Sequence, residues 1–133
     1  MPGVDTNLLV RWLVDDDVVQ ARQVEYLLEA TARRQETLFV PLTVVLELEW
    51  VLRSRYAFGK PDILLALNAL LEVRELEIQS ESAVERALHA YQVGKADFAD
   101  CLHAGACWSA GKAPLLTLDA KAARLADAEL LQA

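Results

Sequence analysis

Five carboxylates far apart in this chain have the types and positions to work as a group: Asp5, Glu47, Asp97, Asp100 and Asp119. Asp5 closes the first apolar run, and Asp119 follows Leu115-Leu116-Thr117-Leu118, the most strand-like late segment. Asp97 and Asp100 are three apart at the start of a helical pattern. They share a face there, where the helix dipole favours acids. Glu47 lies on the helix that follows a strand at Phe39-Val40. Open α/β sheets place their ligand sites beyond the carboxyl ends of the strands, so in a parallel sheet these acids can converge on one edge. The chemistry of such a cluster is that of a hard divalent cation. Mg²⁺ and Mn²⁺ prefer carboxylate and water oxygens. Without an ion, crowded carboxylates repel and at least one is pushed towards its neutral form. With one or two ions, a bound water is activated and charge on a scissile phosphate is stabilised.

Taken singly, each acid has a second explanation. Asp5, Asp97 and Asp119 each suit a cap or turn position, and Asp100 suits a solvated first helical turn. Val44, Val45, Leu48, Val51 and Leu52 form one apolar stripe at helical period. Glu47 and Glu49 leave opposite shoulders of that stripe and cannot serve one site together, but periodicity does not choose between them. No rival apparatus competes. The sequence has no glycine-rich phosphate loop, no Cys or His pair at zinc spacing, and no serine in a nucleophile elbow.

The elements that must position these residues alternate along the chain. Strands are predicted near Gly3 to Asp5, Thr37 to Val40, Leu76 to Ile78, Pro114 to Thr117 and Glu129 to Leu131. Helices are predicted at Asn7 to Val14, Val18 to Arg34, Thr43 to Tyr56, Pro61 to Glu72, Ser80 to Tyr91, Phe98 to Gly111 and Ala120 to Asp127. The pattern implies an α/β domain with a central, mostly parallel sheet of about five strands covered on both faces. The 133 residues, 54% of them apolar, suffice for one domain spanning 1–133. No apolar run reaches bilayer length and the start lacks a basic leader, which points to a cytoplasmic protein without a membrane partner. Cys101 and Cys107, six apart on one helix, are too distant for an unstrained disulfide and read as small packed side chains. Asp15-Asp16-Asp17 reads as the cap of the second helix. The lone His89 and His103 read as neither ligand nor base. A net charge of −7 is unusual for a chain that handles polyanions, unless bound cations offset part of it.

In order and spacing, four blocks closely resemble the PIN domain: Val4-Asp5-Thr6-Asn7-Leu8-Leu9-Val10-Arg11, Glu47-Leu48-Glu49-Trp50-Val51-Leu52-Arg53, Ala96-Asp97-Phe98-Ala99-Asp100-Cys101-Leu102 and Leu115-Leu116-Thr117-Leu118-Asp119. More narrowly they resemble the toxin subunits of VapBC-type toxin–antitoxin pairs. The resemblance implies a three-layer α/β/α fold and an acidic quartet of Asp5, Glu47, Asp100 and Asp119, with Asp97 a fifth acid. It selects Glu47 over Glu49. Asn7 and Thr117 match polar positions lining the family's site. Thr6 is expected in a turn or cap, and Thr117 to bond a ligand carboxylate or a bound water. The implied activity is a Mg²⁺- or Mn²⁺-dependent endoribonuclease that cuts structured RNA such as tRNA. The implied partners are a second copy and a cognate antitoxin encoded nearby. Arg11 and Arg53, with Arg55, Lys60 and Lys95, are candidates to contact RNA phosphates or an acidic antitoxin segment. Trp12, Trp50 and Tyr56 suit either an interface or the core.

Two other classes fit these residues less well. A receiver-type phosphoacceptor domain would need an acid pair at the first strand, an aspartate after a middle strand and a late lysine. Asp5 is single, Leu76-Glu77-Ile78 ends without an aspartate, and Asp119 stands where the lysine is wanted. A PIN-like module that binds RNA or protein without cleaving would not require the intact quartet.

Overall fold

Alternation of side chains builds the ladder of the first part of the chain. In the computed structural model, which describes residues 1–14 and 16–132, Leu38 and Val40 are buried within strand β1 (Leu38–Val40). Leu76 and Ile78 are buried within β2 (Leu76–Ile78), while Glu77 between them is exposed. The two strands pair in parallel, Leu38 with Leu76 and Val40 with Ile78. A parallel pair needs a long crossover. Helices α3 (Leu42–Arg55) and α4 (Lys60–Glu72) supply it, which is why two consecutive helices interrupt the simple alternation. The chain divides into two compact units, Met1–Gln79 and Ser80–Ala133.

In the first unit, α1 (Thr6–Leu13) and α2 (Val18–Arg33) precede β1. Val45, Leu48 and Leu52 of α3 and Ile63 and Leu67 of α4 are buried, and with Leu9, Leu38 and Val40 they make up its core. The stripe expected on α3 is therefore present, with Val44 only half-buried. The strand expected at Gly3 to Asp5 is reduced to a single parallel bridge from Gly3 to Phe39. Val4 N–H donates to the Phe39 carbonyl at 2.9 Å and Phe39 N–H donates to Pro2 O at 2.9 Å. Pairing stops there because Pro2 has no N–H to offer and Asp5 already turns the chain into α1. Asp17 caps α2, accepting from Gln20 N at 3.0 Å. Asp16 is engaged elsewhere, and Asp15 lies outside the described residues.

In the second unit, α5 (Glu81–Val93) and α6 (Phe98–Ser109) lie against each other at very short range. A Cβ built on Gly105 would stand 2.6 Å from the Ala83 carbonyl oxygen, so only glycine allows this approach. Tyr91 and Phe98 meet edge to face nearer the connection, with ring centroids 5.5 Å apart. Helix α6 ends with Gly111 at φ +72°, where Lys112 N–H donates to Cys107 O and Gly111 N–H to Trp108 O. This left-handed glycine terminus satisfies the last carbonyls. Strands β3 (Leu115–Thr117) and β4 (Ala128–Leu130) then pair in parallel. The helix expected from Ala120 to Asp127 is absent. Its place holds a single 3-10 turn, Ala122–Arg124, after which Leu125 is already extended. The short crossover from Leu118 to Asp127 leaves room for a turn but not for a helix. Cys101 is buried and Cys107 half-buried, and neither forms a disulfide.

Architecture is therefore α/β; the described residues form six α-helices, short parallel strand pairs and, with the Gly3 bridge included, five extended segments. Among the described residues, no helix is long and apolar enough to cross a membrane.

Candidate active-site carboxylates

In the first unit Asp5 is the N-cap of α1, its carboxylate accepting from Leu8 N–H at 3.0 Å. One oxygen is so occupied and the side chain is otherwise exposed. Thr6 does not cap the helix, contrary to expectation, because Asp5 holds that position. Instead the Thr6 hydroxyl, on a residue only 5% exposed, donates to the Glu47 carboxylate. The start of α1 is thereby tied to α3, with Glu47 bonded to the residue that follows Asp5. Two residues on, Glu49 is 3% exposed and accepts from Arg53 Nε at 2.8 Å. The two glutamates thus differ, Glu47 being exposed and Glu49 buried and paired with a half-exposed arginine.

Asn7, Leu8 and Arg11 line a groove of about 350 Å³ together with Gln20, Val24 and Leu27 of α2. Arg11 is bound on several sides: Nε donates to Gln20 at 2.6 Å, and Nη1 donates to Asp16 at 3.1 Å and to the Tyr56 hydroxyl at 3.3 Å. Tyr56 in turn donates to Asp16 at 3.1 Å. The Tyr56 oxygen, and then the charges of Asp16 and Asp17, hold Arg11 protonated above the usual guanidinium range. Trp12 and Tyr56 are half-buried, while Trp50 is 50% exposed.

In the second unit Asp97 occupies the N-cap position of α6 without making a capping bond. Its carboxylate, 72% exposed, is met by Lys121 Nζ at 3.4 Å. Asp100, half-buried, follows in the first turn. Asp119 accepts from the backbone N–H groups of Lys121 and Ala122, at 2.8 and 3.3 Å, which fixes its carboxylate over the 3-10 turn. The Thr117 hydroxyl oxygen accepts from the Asp119 N–H at 3.0 Å, and its O–H can still donate to a ligand carboxylate or a bound water. The bond it accepts sets the backbone on which Asp119 rides. His89 and His103 are exposed.

Sequence reasoning passed over Lys121, Arg86 and Asp127. Lys121 was detectable from its place two residues after Asp119. Arg86 and Asp127 are brought together only by the fold. Arg86 donates in bidentate fashion to Asp127, with Nη2 to Oδ1 at 2.9 Å, and its guanidinium carbon stands 3.9 Å above the centroid of Trp108. Hydrogen bonding from Arg86 holds the Asp127 carboxyl below its ordinary range, and Asp127 raises Arg86.

All candidate donors are carboxylate oxygens, which suits a hard divalent cation in chemical type. Among the described residues no three His, Cys, Asp or Glu side chains form a group that could hold a metal ion.

Comparison with known proteins adds two findings. The PIN domain family matches residues 4–128. A VapC ribonuclease of Aquifex aeolicus (strain VF5) is 26% identical over 102 residues, a span covering 77% of this chain and 75% of that protein.

Proposed function

The chain belongs to the PIN domain family, and from that premise we propose that it is a metal-dependent endoribonuclease, the toxin of a toxin–antitoxin pair, acting in the cytoplasm as one domain. The observation that carries the reading is the presence of all four acid-bearing blocks within the matched residues, beside a relative that is itself a ribonuclease. Asp5, Glu47, Asp100 and Asp119 are the proposed ligands, with Asp97 a fifth. A divalent cation, Mg²⁺ or Mn²⁺, would supply Lewis acidity and an activated water when bound. The chain's own part is positioning. Thr6 orients Glu47, the turn amides and Thr117 orient Asp119, and Lys121 balances the charge of Asp97. The reading extends to structured RNA, tRNA included, as substrate, to an antitoxin as inhibitor, and to a homodimer.

The test is incubation with total RNA in Mn²⁺ or in chelator, followed by end mapping. Wild-type protein is expected to cut in Mn²⁺ alone, and Asp5→Asn and Asp100→Asn to fall to background. Asparagine caps a helix about as well as aspartate, so Asp5→Asn keeps the fold while removing the charge. Undiminished cleavage by either variant shows that the acids are misassigned. A second reading, a PIN-like binding module without cleavage, draws on the lack of a three-acid group among the described residues. Binding of RNA without any cut ends by wild-type protein would select it.

A further inference from the structure

We propose that a basic groove of the Ser80–Ala133 unit is the track on which the phosphodiester backbone of an unpaired RNA segment, such as a loop of a structured substrate, lies as it approaches the acids. This rests on the nuclease reading and specifies its substrate surface. The lysines and arginines of this unit are Arg86, Lys95, Lys112, Lys121 and Arg124. All except Lys112 line two adjoining grooves, of about 540 and 200 Å³, that share Gly94, Arg124 and Leu125. In a chain of net charge −7, bases gathered this way make a local exception to the overall field. The acid lining these grooves is Asp127, and Arg86 already neutralises it through two bonds.

The bases divide by what holds them. Arg86 is fixed between Asp127 and Trp108 and forms wall. Lys95 and Arg124 are exposed and make no ion pair among the described residues, so both are available to an incoming anion. His89 adds a hydrogen-bonding ring to the same wall. At the far end stands Lys121, whose ammonium contacts Asp97 and whose backbone N–H donates to Asp119. A strand whose phosphates follow Arg124 and Lys95 is thus delivered to two of the candidate acids.

An open groove with separated, exposed cations suits a flexible polyanion. Such contacts carry no sequence information but contribute affinity through counterion release, with a slope of about −0.7 per phosphate for single strands. Fluorescence anisotropy with a fluorescein-labelled oligouridine, in chelator and across a salt series, tests this on the full-length protein. Lys95→Gln and Arg124→Gln are each expected to weaken binding and to flatten the salt slope by about 0.7, while Lys112→Gln changes neither. In the Mn²⁺ cleavage assay the same two variants raise KM and leave kcat in place. Wild-type protein that binds the oligonucleotide through Lys95 and Arg124 but cuts nothing keeps the track and removes the nuclease reading. Wild-type protein that cuts, with all three variants binding alike, overturns the track and keeps the nuclease. Loss of binding to a poly-glutamate peptide with RNA binding unchanged also overturns it, in favour of an acidic protein partner.

Discussion

Among the single residues, Glu47 and Glu49 show how much two positions on one helix can differ. Glu49 is buried against Arg53, and Glu47 is exposed and receives one hydroxyl. Charge-assisted hydrogen bonds are worth about 1.5–3 kcal/mol when the acceptor is withdrawn from water. Because Arg53 is half in solvent, screening takes the contribution below that range. Glu49→Gln is therefore expected to lower unfolding free energy by about 1 kcal/mol while the folded protein keeps the proposed ribonuclease activity. Glu47→Gln is expected to do the reverse, losing cleavage with stability almost unchanged. Thermal denaturation and the cleavage assay run on both variants check this. Equal loss of activity would return the choice between the two glutamates to open. Arg53 also looks different from the sequence reading, since withdrawing it towards RNA would leave the Glu49 charge buried.

At the level of elements, the α5–α6 contact makes the sharpest demand on sequence. Gly105→Ala places a methyl 2.6 Å from a backbone oxygen that cannot swing aside. Overpacking of this kind costs about 1–3 kcal/mol, and chemical denaturation of the variant is expected to show a loss in that range. Nothing in Ala104-Gly105-Ala106 announces it, because small residues inside a helix read as weak helix formers until the neighbouring helix is known. Most elements were legible: α1 to α4 and β1 to β4 fall within one residue of their expected bounds, and α5 and α6 within two. Two failures share a cause. The Gly3 segment and the stretch after Asp119 both carried plausible propensity, but pairing partners and crossover length decided them, and those are properties of distant residues. The site follows the same division. Residue types and motif order marked the acids, whereas the Thr6–Glu47, Thr117–Asp119 and Lys121–Asp97 pairings are facts of folding that spacing alone does not encode.

For the molecule as a whole, the excess of acids over bases, 20 against 13, has an energetic meaning. If the proposed ligands gather as the nuclease reading requires, their mutual repulsion opposes folding, and a cation that binds only the folded form offsets it. A ligand present at a hundredfold over its Kd stabilises by about 2.7 kcal/mol. Wild-type protein is accordingly expected to melt at higher temperature in millimolar Mn²⁺ than in chelator, and Asp100→Asn to show little or no such gain. Differential scanning calorimetry reads this without any substrate. An identical rise in both proteins would place the ion elsewhere on the surface.

Arg86 resting on the indole of Trp108 has one more consequence, and it is optical. Indole emission responds to the charge and wetness of its immediate surroundings, and here those surroundings include the guanidinium of a residue that lines a groove. With Trp12 and Trp50 replaced by phenylalanine, the chain would carry a single built-in dye at that wall, able to report occupancy of the groove in real time and with no label attached.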